Sequence, residues 1–159
     1  MKHTVAVKVA NEAGVLARIA SLFSRRGFNI ESLSVGQTER KDVSRITLVV
    51  CGNKKDLEQL EKQLNKQVIV YKVSNITNDP AVNRSMALIK VKANYSTRSE
   101  IIQIVDVFRG EIVDVANDSV MVEVTGDEGK INAMEELLDP YGIIELVRTG
   151  KIAMTRGKK

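Results

Sequence analysis

The sequence has no tryptophan, a single cysteine (Cys51), a single histidine (His3), two prolines, and aromatic residues at only 4% of its 159 positions. One cysteine excludes an internal disulfide and a cysteine-based zinc cluster. One histidine, expected as a surface residue at a strand end, leaves no His-rich metal site and no Ser/His or Cys/His pair. So few aromatics provide no stacking platform for single-stranded nucleic acid. No run of 18 apolar residues exists, and the N-terminus opens on a strand pattern without an apolar signal core, so the expected location is cytoplasmic, with no membrane span. Lys and Arg number 24 against 20 Asp and Glu. The net charge of +4 owes much to the tail (Lys151, Arg156, Lys158, Lys159) and forms no basic stripe, so no nucleic-acid partner is expected.

What is present is ordinary for a soluble globular chain, 43% hydrophobic and 28% charged, long enough for one medium domain or two small ones. The apolar pattern alternates over His3 to Val9, then recurs at helical spacing in Val15, Leu16, Ile19, Leu22 and Phe23, the helix stopping at Gly27. Phe28 to Gly36 alternates again, with a phase slip that predicts a β-bulge near Glu31 and Ser32. A polar connection, Gln37 to Asp42, leads to a third strand containing Ile46, Leu48 and Val50. A helix capped by Asn53 follows, with Leu57, Leu60 and Leu64 inward, then a strand over Val68 to Val73.

The order βαββαβ is the ferredoxin-like arrangement, two helices on one face of a four-stranded antiparallel sheet. After a linker, Asn75 to Asn83, the order runs again. Met86 to Val91 is a strand, and a helix from Thr97 turns Ile101, Ile102, Val105 and Phe108 inward. A hairpin turns at Asn117 and Asp118, a helix follows with Ile131, Met134 and Leu138 inside, and a strand covers Ile143 to Val147. Val50-Cys51-Gly52-Asn53 and Val124-Thr125-Gly126-Asp127 stand at matching places. The fold class is therefore α+β, with two ferredoxin-like domains at 1–77 and 83–159. Arg148 to Met154 is expected to order against the second, and Thr155 to Lys159 to fray.

The first helix start, Asn11-Glu12-Ala13-Gly14, has no equal in the second half, where Asn94-Tyr95-Ser96-Thr97 lacks a glycine. Asn11 suits an N-cap, and Gly14 leaves the free N–H groups uncovered. The dipole's positive end then favours a carboxylate or phosphate by about 0.3 to 1 kcal/mol, more if enclosed. The same two residues also suit plain capping and close helix–sheet packing, and this feature alone leaves both readings open.

Asn11 to Arg18 followed by Phe23, then Arg26-Gly27-Phe28-Asn29-Ile30-Glu31-Ser32-Leu33-Ser34-Val35-Gly36, resembles the N-terminal ACT domain of the small, regulatory subunits of acetolactate synthase (acetohydroxyacid synthase). The resemblance extends to Ser44-Arg45-Ile46-Thr47 and, in the second half, to Tyr141-Gly142-Ile143 and Arg148 to Met154. It implies a non-catalytic chain in branched-chain amino-acid biosynthesis. Such a chain activates a large catalytic subunit, on which thiamine diphosphate, Mg and FAD are expected, and carries no cofactor itself. It also implies feedback inhibition by valine or another branched-chain amino acid, bound in a homodimer between the helix start of one chain and the second strand of its partner. By this resemblance Asn11, Gly14, Val15 and Leu16 line the carboxylate side, and the neighbour's Asn29 and Ile30 meet the amino group and the side chain.

Three rival readings exist. Catalysis by this chain would need an acid/base pair, but Glu31, Glu39 and Asp42 fall in a strand and a charged turn. A transcription regulator would need a helix-turn-helix, and none is present. A stand-alone amino-acid-binding ACT regulator without a catalytic partner is the alternative.

Overall fold

The computed structural model describes residues 1–157, and Lys158 and Lys159, the last two residues of the expected frayed end, lie outside them. The chain divides into two compact units, Met1–Val82 together with the segment from Gly150, and Asn83–Thr149.

In the first unit β1 (Lys2–Ala10), α1 (Val15–Arg25), β2 (Asn29–Gln37), β3 (Val43–Cys51), α2 (Lys54–Asn65) and β4 (Val70–Asn75) follow one another. The antiparallel sheet has the order β2-β3-β1-β4, leaving β2 at one edge. Its core forms where Val5, Val7 and Val9 of β1 and Ile46, Leu48 and Val50 of β3 meet Ile19 and Phe23 of α1 and Leu57, Leu60 and Leu64 of α2. The expected bulge is there: Ile30 pairs with Val50 and Ser32 with Val49, so Glu31 is the extra residue. It allows both Ile30 and Leu33 to reach the core although three positions separate them.

The second unit repeats the order in β5 (Ala81–Lys92), α3 (Arg98–Val107), β6 (Glu111–Val115), β7 (Ser119–Gly126), α4 (Glu128–Leu138) and β8 (Ile143–Arg148), with sheet order β6-β7-β5-β8. The repeat extends to fine detail. Both second strands carry a bulge, the later one between Ile112 and Asp114. Asn53 and Asp127 both cap the helix that follows, accepting from Lys55 N at 2.8 Å and Lys130 N at 2.9 Å. α1 and α3 both end in a Schellman motif. Phe28 N donates to Phe23 O and Gly27 N to Ser24 O, as Gly110 N does to Val105 O and Arg109 N to Asp106 O.

Several expectations shift. His3 is buried, not a surface residue, with Nε2 3.1 Å from the Gly52 carbonyl, because it shares the inner face of β1 with Val5. Val68 lies in a turn and is 94% exposed, so the fourth strand starts two residues later. Ile102 is turned outward, and Ile104 packs against the core in its place. Ala81 to Asn83, expected as linker, already belong to β5.

The largest shift concerns the C-terminus. The segment from Gly150, expected to close the second domain, groups with the first unit. Lys151 N donates to Ser32 Oγ at 2.8 Å, and Arg45 Nη2 donates to Ala153 O at 2.6 Å. Ala153 packs with Ala6 and Ile76, and Arg156 N donates to Pro80 O. Within this segment β9 (Ile152–Thr155) pairs with β5. The cause is the face of the first sheet opposite its helices. Between its charged residues it carries small ones, and Ala6 there is kept from water by Ala153 of the tail.

Candidate functional site

Residues Asn11 to Gly14 form a tight corner after β1. Asn11 N donates to Asp42 O and its side-chain Nδ2 to Lys41 O at 2.9 Å, tying the corner to the β2–β3 connection. Gln37 Nε2 donates to the same Lys41 carbonyl at 2.9 Å. Asn11 is therefore not the N-cap expected of it. That place falls to Gly14, at φ 84° and ψ −10°, and no side chain caps α1. The left-handed backbone explains the glycine, since a side chain here is strained although a Cβ would meet nothing within 4 Å. It is not there for close helix–sheet packing.

The helix start thus has no side-chain cap, its first N–H (Val15) donating to the Glu12 carbonyl at 3.5 Å, and no acidic residue stands in the first turn. The corresponding place in the second unit is occupied by its own side chains. Asn94 Oδ1 accepts from Ser96 N and Thr97 N, and Glu100 stands in the first turn of α3. No side chain caps α3 itself either, but Glu100 in its first turn opposes an anion there, whereas the first turn of α1 holds no acidic residue.

Of the residues expected around that end, Val15 is buried, anchoring the helix on the sheet, while Asn11, Gly14 and Leu16 are exposed. Leu16, expected on the inner face, is 40% exposed, beside the buried stripe of Val15, Ile19, Leu22 and Phe23. Asn29 and Ile30 are elsewhere. The Schellman turn buries Phe28, its ring 6.0 Å from that of Phe23 in an edge arrangement, and β2 begins at Asn29, opposite Cys51. Gly52 makes room, since a Cβ there would lie 2.2 Å from the Phe28 ring. Asn29 is exposed and Ile30 half-buried. Ala10 pairs with Val43, and Asn29 with Cys51 at the far end of the same β3. Eight residues of strand, roughly 26 Å, separate the two groups. Within one chain they do not form one site.

Beside Asn29 lies a cluster that sequence reasoning missed. Glu31, turned out by the bulge, accepts from Cys51 Sγ at 3.1 Å and from Lys2 Nζ at 3.1 Å. The Cys51 hydrogen bond, aided by Lys2, holds the Glu31 carboxyl below its usual range. The same bond is the main influence raising the Cys51 thiol and keeping it protonated. Cys51 is thereby a weak nucleophile. The signal was in the sequence only as the bulge, which turns Glu31 to the side of Cys51. Among the described residues no group of three His, Cys, Asp or Glu is placed to hold a metal ion, and no helix is long and apolar enough to cross a membrane.

Comparison with known proteins decides the family. Residues 5–72 match the model of the AHAS small subunit-like ACT domain, and residues 84–157 that of the small subunit of acetolactate synthase. A relative from Archaeoglobus fulgidus, described as "Probable acetolactate synthase small subunit", is 57% identical over 159 residues, covering 100% of this chain and 99% of its own. The chain belongs to the acetolactate synthase small-subunit family. The acetolactate synthase small subunit of Bacillus subtilis is 53% identical across 99% of this chain and 92% of its own. The crystal structure of the acetolactate synthase small subunit from Thermotoga maritima superposes with a TM-score of 0.90 at 41% identity, covering 100% of this chain and 99% of that one. The first unit is accordingly an ACT domain of the small-subunit type, and the open helix start belongs to it.

Proposed function

We propose that this chain is the non-catalytic regulatory subunit of acetolactate synthase. It activates the large, thiamine-diphosphate-dependent subunit, on which Mg and FAD are also expected. It confers feedback inhibition by valine or another branched-chain amino acid, bound between the ACT domains of a homodimer. The observation that carries the effector site is the separation of its two halves to opposite ends of a sheet whose edge strand is β2. An edge strand offers a free row of backbone groups to a second copy.

Antiparallel pairing of β2 with its two-fold mate, centred on Leu33, sets the partner's Asn29 opposite Gln37. Gln37 shares the Lys41 carbonyl with Asn11. The partner's Asn29 and Ile30 thus arrive beside Gly14, Val15 and Leu16. The amino acid's carboxylate takes the uncapped N–H groups, the partner's Asn29 carbonyl accepts from the ammonium, and the partner's Ile30 with Leu16 encloses the branched side chain. Enclosing that side chain contributes about 1.5 to 3 kcal/mol. Valine acts on the catalytic subunit only as far as it prefers one arrangement of the dimer, and a coupling of about 1 to 3 kcal/mol is enough.

Calorimetric titration with valine, leucine and isoleucine tests the site, run beside Gly14→Asp. Aspartate tolerates the left-handed backbone and puts a carboxylate where the ligand's belongs. Saturable heat in the parent and none in a folded, dimeric variant is the expected result. Co-purification with the catalytic subunit and stimulation of its activity separate this reading from the stand-alone ACT regulator, which would bind the amino acid and stimulate nothing.

A further inference from the structure

On the side of the first sheet away from its helices, Lys72 of β4, Lys8 of β1 and Arg45 of β3 are direct register partners, Lys72 opposite Lys8 and Lys8 opposite Arg45. Adjacent strands lie about 4.8 Å apart, so three cations stand in one row across three strands. Like charges directly opposite one another destabilise a sheet. Among the described residues the ion pairs are Lys2 with Glu31, Arg40 with Asp42 and Arg148 with Glu135, and none reaches this row. The second unit handles the same kind of position differently: Lys90 of β5 has Glu145 of β8 as its register partner.

The row borders a groove of about 590 Å³, the size of a small-molecule site. Ser74 and Asn75 supply polar groups and Met154 and Thr155 of the tail one wall, beside Ala6 and Ile76, which Ala153 already covers. The wall is fixed by the bonds from Arg45 to Ala153 O and from Arg156 N to Pro80 O. Lys8 and Arg45 are half-buried, which strengthens their attraction for an anion. Asp79, also on the rim, is the one carboxylate that lines the groove among the described residues.

We propose that this groove is a second ligand site, separate from the helix-start cradle, for a small polyanion carrying two or three phosphate or carboxylate groups. Its anionic groups lie along the row of Lys72, Lys8 and Arg45.

The full-length protein is titrated calorimetrically, at constant ionic strength, with inorganic tripolyphosphate and with citrate, beside Lys8→Gln/Lys72→Gln and Gly14→Asp. The expected result is saturable, one-per-chain binding of at least one probe, weakened tenfold or more in the double lysine variant and unchanged in Gly14→Asp. Whichever probe binds more tightly assigns phosphate or carboxylate as the anionic group. Without ligand the double variant melts higher than the parent, because the repulsion is gone. Non-saturable heats with both probes, equal binding by the double variant, or binding only of a glutamate-rich peptide would overturn the proposal. Loss of valine binding in Gly14→Asp alongside intact polyanion binding keeps the two sites distinguishable.

Discussion

Arg109 sits at φ 55° in the place that Gly27 holds at the end of the first helix, yet the Schellman bonds around it are complete. A non-glycine residue in that conformation costs about 1 to 2 kcal/mol, partly offset by the greater freedom of glycine in the unfolded chain. Arg109→Gly is therefore expected to stabilise the second unit by roughly 0.5 to 1 kcal/mol in urea denaturation. Glu61 carries the opposite kind of strain. Burial first, and then the nearby Glu58, push its carboxyl above the usual range, against the pull of Asn75 and His3, and its Oε1 is buried without a hydrogen-bond partner. A carboxyl raised in the folded state is a full liability above that raised value, and the penalty fades as pH falls from it to the ordinary carboxylate value, below which it is gone. Glu61→Gln should thus melt higher than the parent at neutral pH, with the difference fading in acid as Glu61 is protonated, which a series of thermal melts across pH reads directly.

At the scale of elements, the tail behaves as part of the first unit. A Cβ at Gly150 would lie 2.2 Å from the Leu33 carbonyl oxygen, so the segment touches the backbone of β2 and admits no side chain there. Backbone cannot yield as a flexible side chain does. Deleting the chain from Gly150 removes the hydrogen bonds that Lys151 N donates to Ser32 and that Arg45 donates to Ala153, and exposes Ala6 and Ile76. At roughly 1 kcal/mol per net hydrogen bond, the expected loss is about 2 kcal/mol or slightly more. Amide exchange should accelerate in β1, β3 and β4 of the shortened protein and stay unchanged in α3, α4 and β7. Gly150→Val should reproduce the loss at a single position.

For the whole molecule the proposed effector site needs two copies, so its thermodynamics are linked to assembly. At a valine concentration of about 100 Kd the ligand adds roughly 2.7 kcal/mol to the stability of the state that binds it. The melting temperature of the dimer should rise with valine, while a form held monomeric by dilution should show no rise. Light scattering on the same samples checks the copy number.

Much of this was legible in the residues. Period-two and period-3.6 patterns gave both βαββαβ units, because each face buried in the core must be apolar. Asn53, Gly27 and the phase slip at Glu31 gave a cap, a stop and a bulge, all local in origin. The turn at Gly14 was legible as a helix start, though Asn11 braces the hairpin instead of capping the helix.

What only tertiary structure decided is non-local. That the tail lies on the first sheet follows from contacts between positions more than a hundred residues apart, Arg45 with Ala153 and Ser32 with Lys151, which no periodicity records. That Lys8, Arg45 and Lys72 form one row follows from register, set by pairing across three strands. And that Asn11 and Asn29 stand at opposite ends of one sheet follows from the course of β3 between them. Sequence determines which faces of its elements are apolar and where its turns fall, and packing determines which distant faces meet.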